Sequence, residues 1–118
     1  MAEFGLFIGW GATNPGREDA ATKVFGEAVA YWTGLEAAGE IESYETVILG
    51  YHAGDLAGFA LLRGDPERLG RLSMSPEFQR LTRRAAAVVK NVGIVNAALD
   101  TQALRWVGET NQALADLI

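Results

Sequence analysis

Apolar residues fall in two rhythms along this chain, period two and helical, and the rhythms alternate in a fixed order. Residues 4–11, Phe4-Gly5-Leu6-Phe7-Ile8-Gly9-Trp10-Gly11, are apolar on both faces, which predicts a central strand covered on both sides. Under period-two alternation Gly5, Phe7, Gly9 and Gly11 share one face, which is left bare. Glycine in a strand marks close approach of a backbone, a side chain or a ligand. Thr13-Asn14-Pro15-Gly16 is a turn. Either Asn14 caps a helix with Pro15 at its first position, or the turn precedes a helix starting at Arg17. That helix runs to about Ala38 on the stripe Val24, Ala28, Trp32 and Leu35, widened by Phe25 and Val29. Gly39 is its left-handed stop.

The second strand is expected over 44–52, with Val47, Leu49 and Tyr51 on one face and Thr46, Ile48 and His52 on the other. His52-Ala53-Gly54-Asp55 then reads as a hairpin turn into a third strand, Leu56 to Arg63. Asp65-Pro66 and Ser75-Pro76 are two cap-then-proline starts. They predict a short helix to about Leu72 and a second on the stripe Phe78, Leu81, Ala85, Val88 and Val89. Val92 to Leu99 is the fourth strand. A last amphipathic segment, about 101–117, carries Leu104, Val107, Leu114 and Leu117 at helical spacing. It either packs back on its own subunit or reaches across to another.

The resulting order is β-α-β-β-α-β with an added helix. This split βαβ plan is an α+β single domain with a four-stranded antiparallel sheet over residues 4–99 and a helical extension over 100–118. The two helices cover one sheet face. The other face also carries apolar residues, and leaving it wet would expose more apolar surface than monomers tolerate. A homodimer, or a larger homo-oligomer, is therefore expected.

Composition removes several function classes. A chain of 118 residues with 49% apolar content holds one real core. It has no cysteine, so thiolate catalysis, disulfides and thiolate metal sites drop out. One histidine and no clustered carboxylates argue against a metal, and no cofactor is expected. Met1-Ala2-Glu3 lacks a basic leader and no apolar run approaches a membrane span, so a cytoplasmic protein without membrane contact is expected. The net charge of −5 is uneven. Residues 1–62 carry nine acids and two bases, and residues 63–90 carry seven bases and three acids. No aromatic residues interleave with the arginines, so this basic stretch reads as a solvated helix face complementing the acidic first helix, not a nucleic-acid surface.

Three stretches carry a family resemblance: the strand Leu6-Phe7-Ile8-Gly9-Trp10, the junction Leu61-Leu62-Arg63-Gly64-Asp65-Pro66-Glu67, and the helix start Ser75-Pro76-Glu77-Phe78-Gln79. On them residues 4–99 resemble the dimeric α/β-barrel superfamily of ferredoxin-like domains, closest to its small uncharacterised bacterial members. The resemblance implies a homodimer that pairs open sheet faces into a barrel, with a pocket for a small ligand. The superfamily includes cofactor-free monooxygenases of antibiotic biosynthesis, muconolactone isomerases and haem-binding enzymes. The resemblance does not choose among them.

Candidate chemistry is sparse. His52 is a possible general base, with Asp55 to orient it and Tyr51 beside it. The stronger reading is an ordinary polar group at a strand end. Trp10 and Trp32, with Tyr31 nearby and Asn14 as a polar contact, would line a pocket for a flat apolar or aromatic ligand. The tryptophans are otherwise core. Asn96 interrupts an apolar strand, where a buried amide must find partners, so it is either a dimer-contact group or a pocket group. Arg63 offers a fork to a carboxylate, or simply reaches water. Two function classes follow. One is a small-molecule-binding protein or cofactor-free enzyme, which requires a cavity bordered by Trp10, Asn14, His52 or Asn96. The other is a non-catalytic accessory or assembly protein, with filled interfaces and His52 open to solvent.

Overall fold

The computed structural model describes residues 1–117. Four strands, β1 (Phe4–Trp10), β2 (Ser43–Ile48), β3 (Gly58–Arg63) and β4 (Gly93–Ala98), form one sheet. Helix α1 (Glu18–Ala37) links β1 to β2. Helices α2 (Pro66–Ser73) and α3 (Pro76–Val88) link β3 to β4, and α4 (Thr101–Ala113) follows with a short 3-10 turn at Ala115–Leu117. The sheet order is β2-β3-β1-β4 and every pairing is antiparallel. This is the ferredoxin-like α+β architecture that the element order predicts, with the added C-terminal helix.

Register decides what each face carries. Leu6 lies opposite Leu62 and Asn96, and Ile8 lies opposite Ala60 and Ile94. Directly opposed residues share a face, and this one meets the helices. Its core is Leu6, Ala60 and Leu62 against Trp32, Ile41, Leu69 and Phe78. The other face carries Phe7, Phe59, Leu61, Val47 and Val95, by the same register. Phe7 and Phe59 stack there with centroids 5.1 Å apart. Gly9 leaves room for the Phe7 ring, since a Cβ at position 9 would sit 2.7 Å from it.

The two cap-then-proline starts form as expected. The Asp65 carboxylate accepts from the Arg68 backbone N–H at 3.0 Å, and the Ser75 hydroxyl accepts from the Phe78 N–H at 3.4 Å. Asn14 does not cap α1. Its carbonyl accepts from the Arg17 N–H, its own N–H donates to Val88, and the helix begins at Glu18 after an uncapped Arg17. Beyond Trp10 the chain continues beside the end of α3, with Gly11 donating to Lys90 and Lys90 to Ala12.

The β2–β3 connection departs from the sequence expectation. The strands end at Ile48 and resume at Gly58, so residues 49–57 are a loop and the tight hairpin is absent. Helix α4 also resolves an alternative. It does not pack back: it buries no residue, and Leu104, Trp106 and Val107 are all exposed. The radius of gyration of 16.0 Å exceeds the roughly 13–14 Å of a compact chain of this length. No helix among the described residues is long and apolar enough to cross a membrane.

Candidate functional site

A cavity of about 430 Å3 lies between α1, the C-terminal end of β1 and the end of α3. Small residues thin the helix layer there: Ala21 and Ala28 from α1 and Ala85 from α3, with Ala12 continuing from β1. Gly9 and Gly11 also border the space, but the side-chain positions they leave open are filled from elsewhere, by Phe7 and Leu56 and by the Asp55 and Lys90 carbonyls. Close-packed interiors leave few such spaces. Bulk returns only at the walls, from Ile8, Val24, Trp32 and Val88. A smaller space of about 50 Å3 continues the cavity toward Tyr31, Phe78 and Leu81, sharing the wall of Ile8, Val24, Ala28 and Trp32.

Trp10 is the aromatic floor of the opening. Its indole reaches over β3, where Gly58 makes room: a Cβ at position 58 would lie 2.9 Å from the ring. Phe25 meets the indole edge to face, 5.9 Å between centroids at 67°. Ile48, 67% exposed, stands at the rim. The polar side chains in the lining are few: Thr13, Glu18, Thr22 and the Trp10 indole N–H. Glu18 is exposed. Its Oε1 accepts from the Gly16 N–H at 3.4 Å, and its backbone carbonyl accepts from the Thr22 hydroxyl at 3.1 Å. Among the described residues no lysine, arginine or histidine lines the cavity.

The expected site residues do not all gather here. Trp10 and Trp32 line the cavity together, and Trp32 is also a core residue at 5% exposure. Asn14 lies just beyond Thr13, with its amide 3.5 Å from the Ala87 carbonyl. Tyr31 packs edge-on against Phe78. His52 sits outside, in the exposed 49–57 loop. Its Nε2 is 2.6 Å from the Leu56 carbonyl, and its Nδ1 accepts from the Gly54 N–H at 3.2 Å. With Nδ1 accepting, the Leu56 carbonyl is the acceptor for a proton on Nε2. The groups that orient this ring are thus backbone atoms of its own loop, where the sequence suggested Asp55. Tyr51 beside it is fully exposed.

Asn96 is exposed in the single chain, on the edge strand β4 opposite Leu6, and is not part of the cavity lining. Arg63 stands at the opposite end of the sheet from Trp10, paired with Gly5 in the register that pairs Trp10 with Gly58. Its guanidinium donates to the Ala2 carbonyl at 3.3 Å, lies 3.5 Å from an Asp100 oxygen and 4.0 Å from one of Glu45.

Sequence reasoning did not single out Glu18, Thr22 or Phe25 as lining residues. The available signal was the small-residue set at 21, 28 and 85, which thins the helix layer over the end of β1. Among the described residues, no group of three or more His, Cys, Asp or Glu side chains converges as a metal would require. The arginines of the basic stretch engage nearby groups: Arg84 forks onto Glu27 of α1 at 2.9 and 3.0 Å, and Arg71 and Arg80 pair with Glu67 and Glu77. The Arg84 hydrogen bonds hold the Glu27 carboxyl below its ordinary value of 4.5, against the smaller upward push of partial burial and with added help from the charges of Arg84, Lys23 and Arg80.

The sheet order and the two-layer packing define a ferredoxin-like fold. Solved structures share it. A dimeric ferredoxin-like protein of unknown function from Bacteroides fragilis matches with a TM-score of 0.59 at 10% identity, over 82% of this chain and 97% of its own. A dimeric ferredoxin-like protein of unknown function from Thermobifida fusca matches at 0.56 and 19% identity, over 84% and 93%. SnoaB, a cofactor-independent oxygenase from Streptomyces nogalater, matches at 0.56 and 13% identity, over 84% and 95%. No protein-family model matches this chain, and no curated protein matches it in sequence.

Proposed function

We propose that this protein is a homodimer that binds a small, largely apolar and aromatic ligand in the cavity under α1. The observation that carries the reading is the cavity itself: about 430 Å3, walled by Trp10, Phe25 and Trp32 and bordered by a few polar groups at its mouth. Ligand sites are concave, mostly apolar and roughly 300–1,000 Å3 in volume, with a small number of placed polar groups. The likeness to a cofactor-independent oxygenase agrees with a cofactor-free enzyme of this kind. The reading needs no proton transfer by His52, whose ring nitrogens both serve the 49–57 loop. It favours a ligand-holding role over a purely accessory one, since an accessory protein has no use for an unfilled space between its layers.

The dimer part rests on two unpartnered apolar surfaces of one chain. The open sheet face holds the Phe7–Phe59 stack and Val95 at 58% exposure, and α4 offers Leu104, Trp106 and Val107. A second copy supplies a partner for each, with α4 crossing over. Two solved proteins of the same fold are dimeric, which supports a dimer of this chain.

Native mass spectrometry of the purified protein, followed by titration with the neutral fluorophore N-phenyl-1-naphthylamine, tests the reading. A dimer mass and saturable binding near one fluorophore per chain, weakened by Trp10→Ala, are expected. A monomer overturns the dimer, and absence of saturable binding overturns the ligand site.

A further inference from the structure

The geometry points to a charge filter at the cavity mouth: we propose that Glu18 makes the site accept neutral or cationic aromatic ligands and reject carboxylates. The inference deepens the ligand-site reading and rests on it. Glu18 is the single charged side chain in the lining. A hydrogen bond from the Gly16 N–H ties its carboxylate to the turn before α1. Among the described residues no arginine or lysine is part of the lining: Arg84 is committed to Glu27, Arg63 belongs to the far end of the sheet, and Lys90, which meets Gly11 and Ala12 through its backbone, has an exposed side chain outside it.

A helix N-terminus ordinarily attracts anions. Here that position is already taken by the chain's own acids, Glu18 and Asp19, in the first turn of α1. An incoming carboxylate would therefore meet a like charge beside low-dielectric walls, with no cation in the lining to offset it. A hydroxyl or ammonium group in the same place would instead find an acceptor. The aromatic body would lie against Trp10 and Phe25, and an ammonium near the indole face would gain further attraction. The site thus sorts ligands by the charge of the group left at the mouth while the cavity sorts them by shape.

Three probes of one shape separate these effects: 1-naphthylmethanol, 1-naphthylmethylammonium and 1-naphthoate. Their dissociation constants are read by tryptophan quenching on the intact protein and on Glu18→Gln and Asp19→Asn. Expected is 1-naphthoate binding about tenfold more weakly than the ammonium compound. Glu18→Gln should bring the two to within about twofold, while Asp19→Asn, which removes the same net charge outside the lining, leaves the ratio near wild type. An unchanged ratio in Glu18→Gln, or equal changes in both variants, overturns the filter and leaves the ligand site standing. If none of the three binds, the ligand site itself falls, and the filter with it.

Discussion

Trp10 and Phe25 come from different layers, one from the sheet and one from α1, and meet edge to face with 5.9 Å between their centroids. Neither ring is fully buried, so the contact is a door frame to the cavity more than a piece of core. Phe25→Ala should weaken binding of a neutral aromatic probe several-fold while changing stability by less than the roughly 3–5 kcal/mol of a buried Phe→Ala change. Paired titration and chemical denaturation of the same variant check it; equal loss in both would make Phe25 an ordinary packing residue.

His52→Ala should leave probe binding unchanged, since the imidazole lies outside the cavity lining. The same change removes the ring that bridges Leu56 and Gly54. Faster amide hydrogen exchange confined to residues 49–57 is the expected result. A lost activity or a weaker ligand with an intact loop would return His52 to the chemistry.

The Glu27–Arg84 fork ties α1 to α3. Because the Glu27 carboxyl is held below 4.5, the unfolded chain takes up its proton first as pH falls. The stabilisation is fully present above 4.5 and is lost as pH drops through the lower, folded value. Arg84→Met should therefore lower the melting temperature at neutral pH and narrow its gap to wild type in acid. Thermal unfolding across that range checks the sign; a constant gap would mean that Arg84 acts only through its aliphatic stem.

Leu62 is fully buried beside Leu6, at the centre of the helix-facing side of the sheet. Leu62→Ala should cost about 2–5 kcal/mol, measured by denaturant unfolding. Val95→Ala, at an exposed position on the opposite face of the sheet, should cost far less in a monomer and should instead weaken the dimer, read by sedimentation.

Removing residues 101–118 should weaken dimerisation and leave the far-ultraviolet signature of the remaining domain intact. Sedimentation and circular dichroism of the truncated chain read the two effects separately. An unchanged dimer would show that α4 does not cross over.

The architecture was readable because each element announces itself locally. Strand β1 is an uninterrupted apolar run, and Asp65-Pro66 and Ser75-Pro76 place helix starts where side-chain caps form. The 49–57 loop was not readable, because Leu49 and Tyr51 continue the alternation of β2 although the chain has already left the sheet. Backbone bonds to the His52 ring take over there, and such bonds leave no periodic trace. The site was half readable. Tryptophans at 10 and 32 mark its walls, but Glu18 and Thr22 look like any solvated first turn until Ala21, Ala28 and Ala85 prove to leave the helix layer thin beside them. The exposure of Asn96 in one chain was not readable, because the apolar run around it does not tell that β4 is an edge strand.

The bare side of α4 has a kinetic consequence. Among the described residues of one chain nothing covers it, so folding and concealment are separate events. The first is unimolecular and independent of dilution. The second, if another copy does the covering, is bimolecular, and the waiting time grows as copies become scarce. Freshly made chains would then be most vulnerable to proteases when the protein is least abundant, and raising its concentration would lengthen its own lifetime.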